Sequence, residues 1–568
     1  MTPDLVIRGA SVVDGTGTPA YTADVAVAGG RIAEIAEIAE IGHIDTAGSS
    51  RVIDADGLTL TPGFIDVHTH YDAQLYFEPT ASPSSWHGVT TVLTGNCGFT
   101  FAPAKPADVS WLLQMLSRVE GMSPQALAEG VRFAGGSFGD YLASLDGNIA
   151  VNVAANVGHC ALRRWVMGDD ASERAATADE IEAMCALLAA SLDEGAAGFT
   201  SSQLDIHVAH DGRPVPSNLA TPDELVALAG VLAGREKRAI EFIPRTFLTG
   251  YSDADRDLVL RMAKASGHPV HLNTLTQMPH APDGWLRSLE FAESAAAAGA
   301  EIHPMFATNR QGAHFSLGTT FLFDEMASFR GSLTLPSPAR EQRLRDPAVR
   351  DQMRKEIADP TGRAFVFVWE VIRVEVVADP AHALWVDRTV AELAAAEGAD
   401  PLDWFVDASL SEGLETQFVL AAPGKWRRSP ATEKLIRSPL VMAGSSDAGA
   451  HLLSFCGVDF TTRLLTEWVP DVLTFEQAVA RLSGVPATVY GMGDRGTIRP
   501  GAAADLLLLD RSRLAAGDAP RYVEDFPAGS GRFVVDAEGY VAVVVNGEIV
   551  MEDGLPTGAR PGLVLRAP

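Results

Sequence analysis

Four cysteines (Cys97, Cys160, Cys185 and Cys456) in 568 residues are too few and too scattered for a disulfide framework. The chain must therefore stand on its hydrophobic core, and a reducing compartment is expected. Basic residues are also scarce: 44 Lys and Arg face 73 Asp and Glu, for a formal charge of -29. Such a field repels phosphate backbones and argues against a nucleic-acid partner. No apolar run approaches the roughly 20 residues that cross a bilayer, so no membrane partner is expected. The opening Met-Thr-Pro-Asp-Leu-Val-Ile-Arg lacks a secretory pattern, and a cytoplasmic location is expected. What the chain does have is 47% hydrophobic residues over a length that calls for more than one domain.

The two ends are rich in short strand patterns. Leu5-Val6-Ile7, Ser11-Val12-Val13, Val25-Ala26-Val27 and Arg51-Val52-Ile53 lie in the first 60 residues; Leu506 to Leu509 and Tyr540 to Val545 lie near the other end. The second of these runs meets the hairpin signal Asn546-Gly547. Residues 1–60 and 495–568 are expected to assemble one small β-sandwich. Ala33-Glu34-Ile35 recurs in tandem up to Ile41 and is taken as a loop expansion.

Residues 61–494 alternate strands and helices. Strands are expected at Gly63 to His68, Thr90 to Thr94, Val151 to Val157, Ala197 to Ser201, Ala239 to Ile243, Pro269 to Leu275, Glu301 to Ala307 and Pro439 to Gly444. Helices fit between them, with cap signals such as Thr221-Pro222-Asp223-Glu224 and closing glycines such as Gly267. The fold class is α/β, and the alternation predicts a (β/α)8 barrel of the TIM type. The seventh connection, about 308–438, is too long for a simple loop and is expected to form a lid.

In such a barrel, polar residues at the strand ends share one bowl. His68-Thr69-His70 closes the first strand, and alternation turns both imidazoles to the same side. Cys97 follows the second strand in Gly95-Asn96-Cys97-Gly98, and Asp447 follows the eighth in Gly444-Ser445-Ser446-Asp447. Two imidazoles, a thiolate and a carboxylate make a borderline-soft donor set suited to Zn²⁺, with Mn²⁺, Fe²⁺ or Co²⁺ as alternatives. A carboxylate ending so apolar a strand needs a cation or proton partner, which singles out Asp447 as ligand and as general base and acid. On the substrate side the candidates are His207, His271 and His451. Each has a plainer alternative: a solvated loop residue, a strand residue satisfied locally, and a helix cap. Glu241 and His303 are weighed in the same way as His271.

Several segments carry a resemblance: Pro62 to His70 (Pro-Gly-Phe-Ile-Asp-Val-His-Thr-His), Gly88-Val89-Thr90-Thr91-Val92, Gly95-Asn96-Cys97-Gly98, Val157-Gly158-His159, and Asp494-Arg495-Gly496-Thr497 before Ala504-Asp505-Leu506. Together they resemble the amidohydrolase superfamily, and more narrowly its N-acyl-D-amino-acid deacylase (D-aminoacylase-like) branch, over nearly the whole chain. The resemblance implies a sandwich-plus-barrel fold, zinc and hydrolysis of amide bonds. In that branch a cysteine replaces the modified lysine that bridges metals in many relatives, which points to Cys97. Active members of the branch also carry histidines in Thr-His-x-Arg on the fifth strand and Ser-His-x-Lys on the sixth. Here those stretches are Ala239 to Arg245 and Pro269 to Thr274, and neither pattern is present. One metal ion is therefore expected rather than two. The expected activity is hydrolysis of a small-molecule amide, an N-acyl amino acid or related N-acyl compound, by a homo-oligomeric enzyme. The alternatives are a cyclic amide or carbamate substrate, and a metal-depleted barrel that binds a ligand without turnover.

Overall fold

The computed structural model describes residues 2–39, 42–236, 238–275, 281–306, 308, 313–318, 320–361, 363, 366–420, 429–452, 457–518 and 520–567. Cys456 and Ala307, the end of the expected seventh strand, lie outside the described residues.

The two ends of the chain build one sheet. Its nine strands include Leu5–Val12, Tyr21–Ala28, Thr59–Pro62, Leu506–Leu509 and Tyr540–Val545. Leu5, Ile7, Val25 and Leu60 from the front of the chain pack with Leu506, Leu508 and Val544 from the back. Alternating apolar residues from sequences some 500 positions apart thus cover each other, and neither end could bury that face alone. Asn546 and Gly547 both adopt positive φ, as a two-residue hairpin between right-twisted strands requires. One expectation fails here. The first units of the Ala-Glu-Ile repeat form an edge strand, Arg31–Glu37, because Ile32 and Ala36 are buried against the sheet core.

Every segment expected as a strand in the middle of the chain contains one, generally shorter. We number them β1 (Phe64–Asp66), β2 (Val89–Thr94), β3 (Asn152–Ala155), β4 (Val157–Gly158), β5 (Gly198–Ser202), β6 (Ala239–Ile243), β7 (Val270–Leu272), β8 (Ile302–Phe306) and β9 (Met442–Ala443). Among the described residues β1, β2 and β3 form one parallel sheet and β4 to β9 another, with each numbered neighbour paired to the next. Asn156 separates β3 from β4, its amide and backbone N–H both donating to Thr94 O. A parallel bridge, Thr69 to Ala448, joins the segment after β1 to the segment after β9. Ile65, Val67, Leu93, Ala154, Ala239, Met305 and Met442 pack into one buried cluster spanning β1, β2, β3, β6, β8 and β9. Gly63 lets the chain turn from the terminal sheet into β1, because a Cβ there would lie 2.1 Å from Thr90 Oγ1.

Helices alternate with these strands, and side-chain caps set their starts. Thr221 accepts from Glu224 N at the head of Pro222–Gly230, and Ser252 from Asp255 N at the head of Asp253–Ser266. Such caps each contribute about 1 kcal/mol. The long connection carries an antiparallel sheet (Ala313–Phe315, Gln417–Leu420, Ile372–Val376) and helices including Val390–Glu397 and Pro401–Ser411. It docks on the helix Val109–Glu120, where Arg118 pairs with buried Asp324 and donates to Thr320 O. The last residues leave the terminal sheet and run beside β3, with Val153 N donating to Leu563 O at 2.9 Å.

Candidate metal centre

Two distant loops are fastened to each other at the C-terminal ends of the parallel strands. Regular structure in β1 ends at Asp66, so the histidine pair lies on the extended bend after the strand and not on the strand itself. Backbone bonds hold that bend: His70 N donates to Ala448 O at 2.6 Å and Asp447 N to His68 O at 3.2 Å. The partner loop is strained, with Ser445, Asp447 and His451 all at positive φ. Residues 447–452 are not helical, and among the described residues the next helix is Phe460–Glu467. Such conformations cost of order 1 kcal/mol or more each and persist where the surroundings enforce them.

The loop after β2 is built the same way. Gly95, Cys97 and Gly98 have positive φ, and a Cβ on Gly95 would lie 2.3 Å from Asn156 O. Its N–H groups are taken up by buried acceptors: Gly95 N by Asp72, Cys97 N by Glu241 at 2.7 Å and Gly98 N by Thr200 Oγ1 at 3.1 Å. This turn aims the Cys97 thiol at the imidazoles.

Four side chains meet there. Cys97 Sγ lies 3.4 Å from His68 Nε2 and 3.7 Å from His70 Nε2. Asp447 Oδ1 lies 3.2 Å from His68 Nε2 and 3.4 Å from His70 Nε2. Among the described residues, His68, His70 and Cys97 form the one group of three or more His, Cys, Asp or Glu donors with metal-ligand spacing. All three are buried, whereas the Asp447 side chain is 28% exposed and marks the open side.

Carboxylates stand behind the imidazoles. Glu120, at the end of the helix Val109–Glu120, places Oε1 3.3 Å from His70 Nδ1, and Glu241 on β6 places Oε1 3.9 Å from His68 Nδ1. Neither contact is a hydrogen bond, and both rings turn Nε2 towards Cys97 and Asp447.

The electrostatics ask for a cation. Burial pushes the Glu241 carboxyl up to about 7 despite the nearby His68, and Asp66 and Asp72 also rise to about 7 through burial. Burial, with Asp447, Asp72 and Glu241 adding to it, drives Glu120 well above the carboxylate range. Burial beside Glu241, Asp447 and Glu120 drives the Cys97 thiol well up. Asp447 goes the other way: burial opposes its charge, but His68 and His70 hold it well below the usual range. A divalent ion would reverse the balance for the thiol and carboxylates together, so the donor set fits a borderline-soft cation such as zinc.

The remaining candidates divide. His451 Nε2 stands 3.8 Å from both Glu120 Oε2 and Asp447 Oδ2, with its ring against Phe321 of the long connection. His207 is buried with its ring edge-on to Phe99; burial, then His451 and His70, lower its pKa to about 3. His271 is not brought to the cluster. Its ring stacks on Tyr490 at 4.3 Å and near His303 at 5.5 Å, deeper between the strands. Asn273, two positions further along the same strand face, reaches the cluster instead, with Nδ2 3.4 Å from His68 Nε2. Sequence reasoning missed Glu120 and Asn273. The i+2 step from His271 was the available signal for Asn273, and none marked Glu120.

Comparison with known proteins gives the family and the fold. The model of the Amidohydrolase family matches residues 51–551. N-acyl-D-aspartate deacylase of Alcaligenes xylosoxydans xylosoxydans is 30% identical over 99% of this chain and 95% of its own. The crystal structure of N-acyl-D-glutamate deacylase from Bordetella bronchiseptica, complexed with zinc and a phosphonate mimic of the tetrahedral intermediate, superposes with a TM-score of 0.68 at 26% identity, covering all of both chains. A D-aminoacylase, studied for the role of its binuclear metal centre in one-metal activation and second-metal attenuation, shares the fold with a TM-score of 0.66 at 24% identity, over 99% of this chain and 100% of its own. The chain belongs to the amidohydrolase family.

Proposed function

We propose that this amidohydrolase is a zinc-dependent deacylase that cleaves the amide bond of an N-acyl amino acid, with N-acyl-D-amino acids the first class to test. The observation that carries the proposal is the convergence of His68 Nε2, His70 Nε2, Cys97 Sγ and Asp447 Oδ1, with contacts of 3.2 to 3.7 Å. The kinship with the N-acyl-D-aspartate and N-acyl-D-glutamate enzymes supports the substrate class. His68, His70 and Cys97, with Asp447 beside them, would hold the ion, one rather than two, since Glu241 and Asn273 stand nearest the centre on β6 and after β7. His207 and His451 would face the substrate.

The same reading extends to the architecture. Pairing along β1 to β3 and β4 to β9, the Thr69–Ala448 bridge and the shared inner cluster support a (β/α)8 barrel over 61–494. The joint terminal sheet supports a sandwich domain from 1–60 and 495–568, and the contact of Phe321 with His451 supports a lid at 308–438. We place the enzyme in the cytoplasm as a homo-oligomer, consistent with its acidic, cysteine-poor composition.

A bound zinc ion supplies Lewis acidity, which lowers the pKa of water beside it towards neutrality. Asp447 does the proton transfers. Its carboxylate, kept ionised by His68 and His70 and open to solvent, takes a proton from the attacking water as the water oxygen bonds to the amide carbon. As the C–N bond breaks, Asp447 passes that proton to the departing nitrogen, so the products are a carboxylic acid and an amine. Glu120 and Glu241 face the two Nδ1 atoms, at 3.3 and 3.9 Å, while Nε2 of each ring faces inward.

The test is metal analysis with a substrate panel. Purified protein should carry near-stoichiometric zinc and hydrolyse at least one member of a set of N-acyl-D- and N-acyl-L-amino acids. Turnover of hydantoins or aryl amides alone would move the substrate to cyclic or aryl amides. Absence of bound metal together with no turnover would overturn the proposal.

A further inference from the structure

The mouth of β7 holds a group that the chemistry above leaves unused. Asn273 is buried, with Nδ2 3.4 Å from His68 Nε2 and 3.9 Å from Cys97 Sγ. Its Oδ1 accepts from Ser445 Oγ at 3.2 Å and from Thr274 Oγ1. Those two hydroxyls are themselves 3.2 Å apart, so the amide oxygen sits in a small donor pocket. The side chain thus presents its NH2 to the space that the imidazoles and thiol share.

An amide N–H cannot ligate a cation. Once His68 Nε2 is bound to a metal, that ring has no lone pair left to accept from Asn273 either. Asn273 Nδ2 then keeps only its long contact to Cys97 Sγ, 3.9 Å, until a substrate oxygen arrives, and a buried N–H without a close acceptor is costly. Glu241 does not fill the gap as a further ligand: Oε2 accepts the Cys97 N–H, and Oε1 lies on the Nδ1 side of His68, away from the metal-facing nitrogen. The two residues nearest the centre on β6 and after β7 are thus a carboxylate committed to the protein and an amide donor.

We propose that Asn273 is the carbonyl-oxygen donor of a one-ion centre, taking the place of a second cation; this rests on the deacylase reading. As the water oxygen bonds to the amide carbon, the carbonyl π pair moves onto oxygen, and the Asn273 N–H groups donate to the charge that develops. When that pair returns to reform the carbonyl, the C–N bond breaks and the amine departs with the proton held by Asp447. Removing one such donor in other enzymes costs about 10²–10³ in kcat.

Three variants test this: Asn273→Ala, the near-isosteric Asn273→Asp, and Ser445→Ala, which frees the amide to rotate. Zinc per chain is measured by mass spectrometry during titration, beside kcat and KM on whichever amide the panel identifies. Asn273→Ala should keep one zinc, lose roughly 10²–10³-fold in kcat and shift KM by less than about threefold. Ser445→Ala should fall in the same direction by a smaller factor. Asn273→Asp, which turns the donor into an acceptor, should take up a second zinc that wild type refuses. Wild type saturating at two zinc ions, or Asn273→Ala retaining wild-type kcat, would overturn the assignment. Loss of the first zinc from Asn273→Ala would do so as well, by making Asn273 part of the metal cage. A protein that holds one zinc yet hydrolyses no N-acyl amino acid would refute the deacylase reading, while the Asn273→Asp titration would still decide whether Asn273 excludes a second ion.

Discussion

Two buried clusters of acids and histidines are balanced in opposite ways, one between the helices Pro222–Gly230 and His159–Met167, the other at the mouths of β1, β2 and β6. Around Glu224 the chain supplies its own cation: the carboxylate accepts from His159 Nε2 at 2.9 Å and from Arg163 at 2.5 and 2.7 Å. Burial opposes its charge, yet His159 and Arg163 bring its pKa down to about 2. Around Cys97 no Arg or Lys plays that part among the described ion pairs, and burial drives Glu241 to about 7 and Glu120 and the thiol well up. The first cluster is complete as folded. The second is arranged around a positive charge that the chain does not provide, which separates a structural network from a metal centre though both contain buried histidines.

The sharpest way to break this contrast is to remove the base. Asp447→Asn should keep the fold, by circular dichroism, and reduce kcat by about 10²–10⁴-fold. A change below tenfold would deny Asp447 its proton-transfer role.

Removing the internal cation tests the other cluster. Arg163→Met leaves Glu224 buried with only His159 to pair it and should cost about 3–5 kcal/mol in denaturant unfolding, with zinc content unchanged. A loss under 1 kcal/mol would mean that Glu224 is solvated or protonated, and that the two clusters do not differ as described.

The pH dependence should have opposite signs. Glu224 is depressed from about 4.5 to about 2, so its contribution is present above pH 4.5 and lost as pH falls towards 2. It is of order 3 kcal/mol and should vanish in Glu224→Gln. Glu241 is raised from 4.5 to about 7, so in metal-free protein its contribution is present below pH 4.5 and lost as pH rises through 7. Zinc should flatten that second slope while leaving the first. Unfolding curves of metal-free and zinc-loaded protein between pH 2 and 8 provide the check.

The smallest expected effect is on the carboxylate behind His70. Glu120→Gln should weaken zinc binding by about 10–100-fold in a competitive chelator titration. Because it removes a buried acid with no cation of its own, it should also leave the metal-free protein no less stable. Unchanged zinc affinity would reduce Glu120 to packing.

How far the site was legible depended on chemical type and place. His68, His70, Cys97 and Asp447 stand out because imidazole, thiol and carboxylate follow apolar strands, a position where such groups need a reason. Glu120 gives no such sign: a glutamate at the end of an amphipathic helix resembles any solvated acid until the fold buries it. His271 drew attention as a histidine, but the strand carries it one layer too deep, against Tyr490, and Asn273 occupies the mouth. The alternation of strands and helices was legible from periodicity, and the joining of both ends into one sheet from their strand patterns. The Ala-Glu-Ile repeat was not, since a three-residue period matches neither helix nor strand; burial of Ile32 and Ala36 decides it.

The central claim is that two loops nearly 380 residues apart, closed on each other through His68 O and Ser446 Oγ, grip one cation. Diffraction from zinc-loaded crystals on both sides of the zinc absorption edge tests it directly. The account predicts a single anomalous peak about 2.0–2.3 Å from His68 Nε2, His70 Nε2, Cys97 Sγ and an Asp447 oxygen. A peak elsewhere, or one that leaves Asp447 out of reach of both the ion and its water, would contradict it.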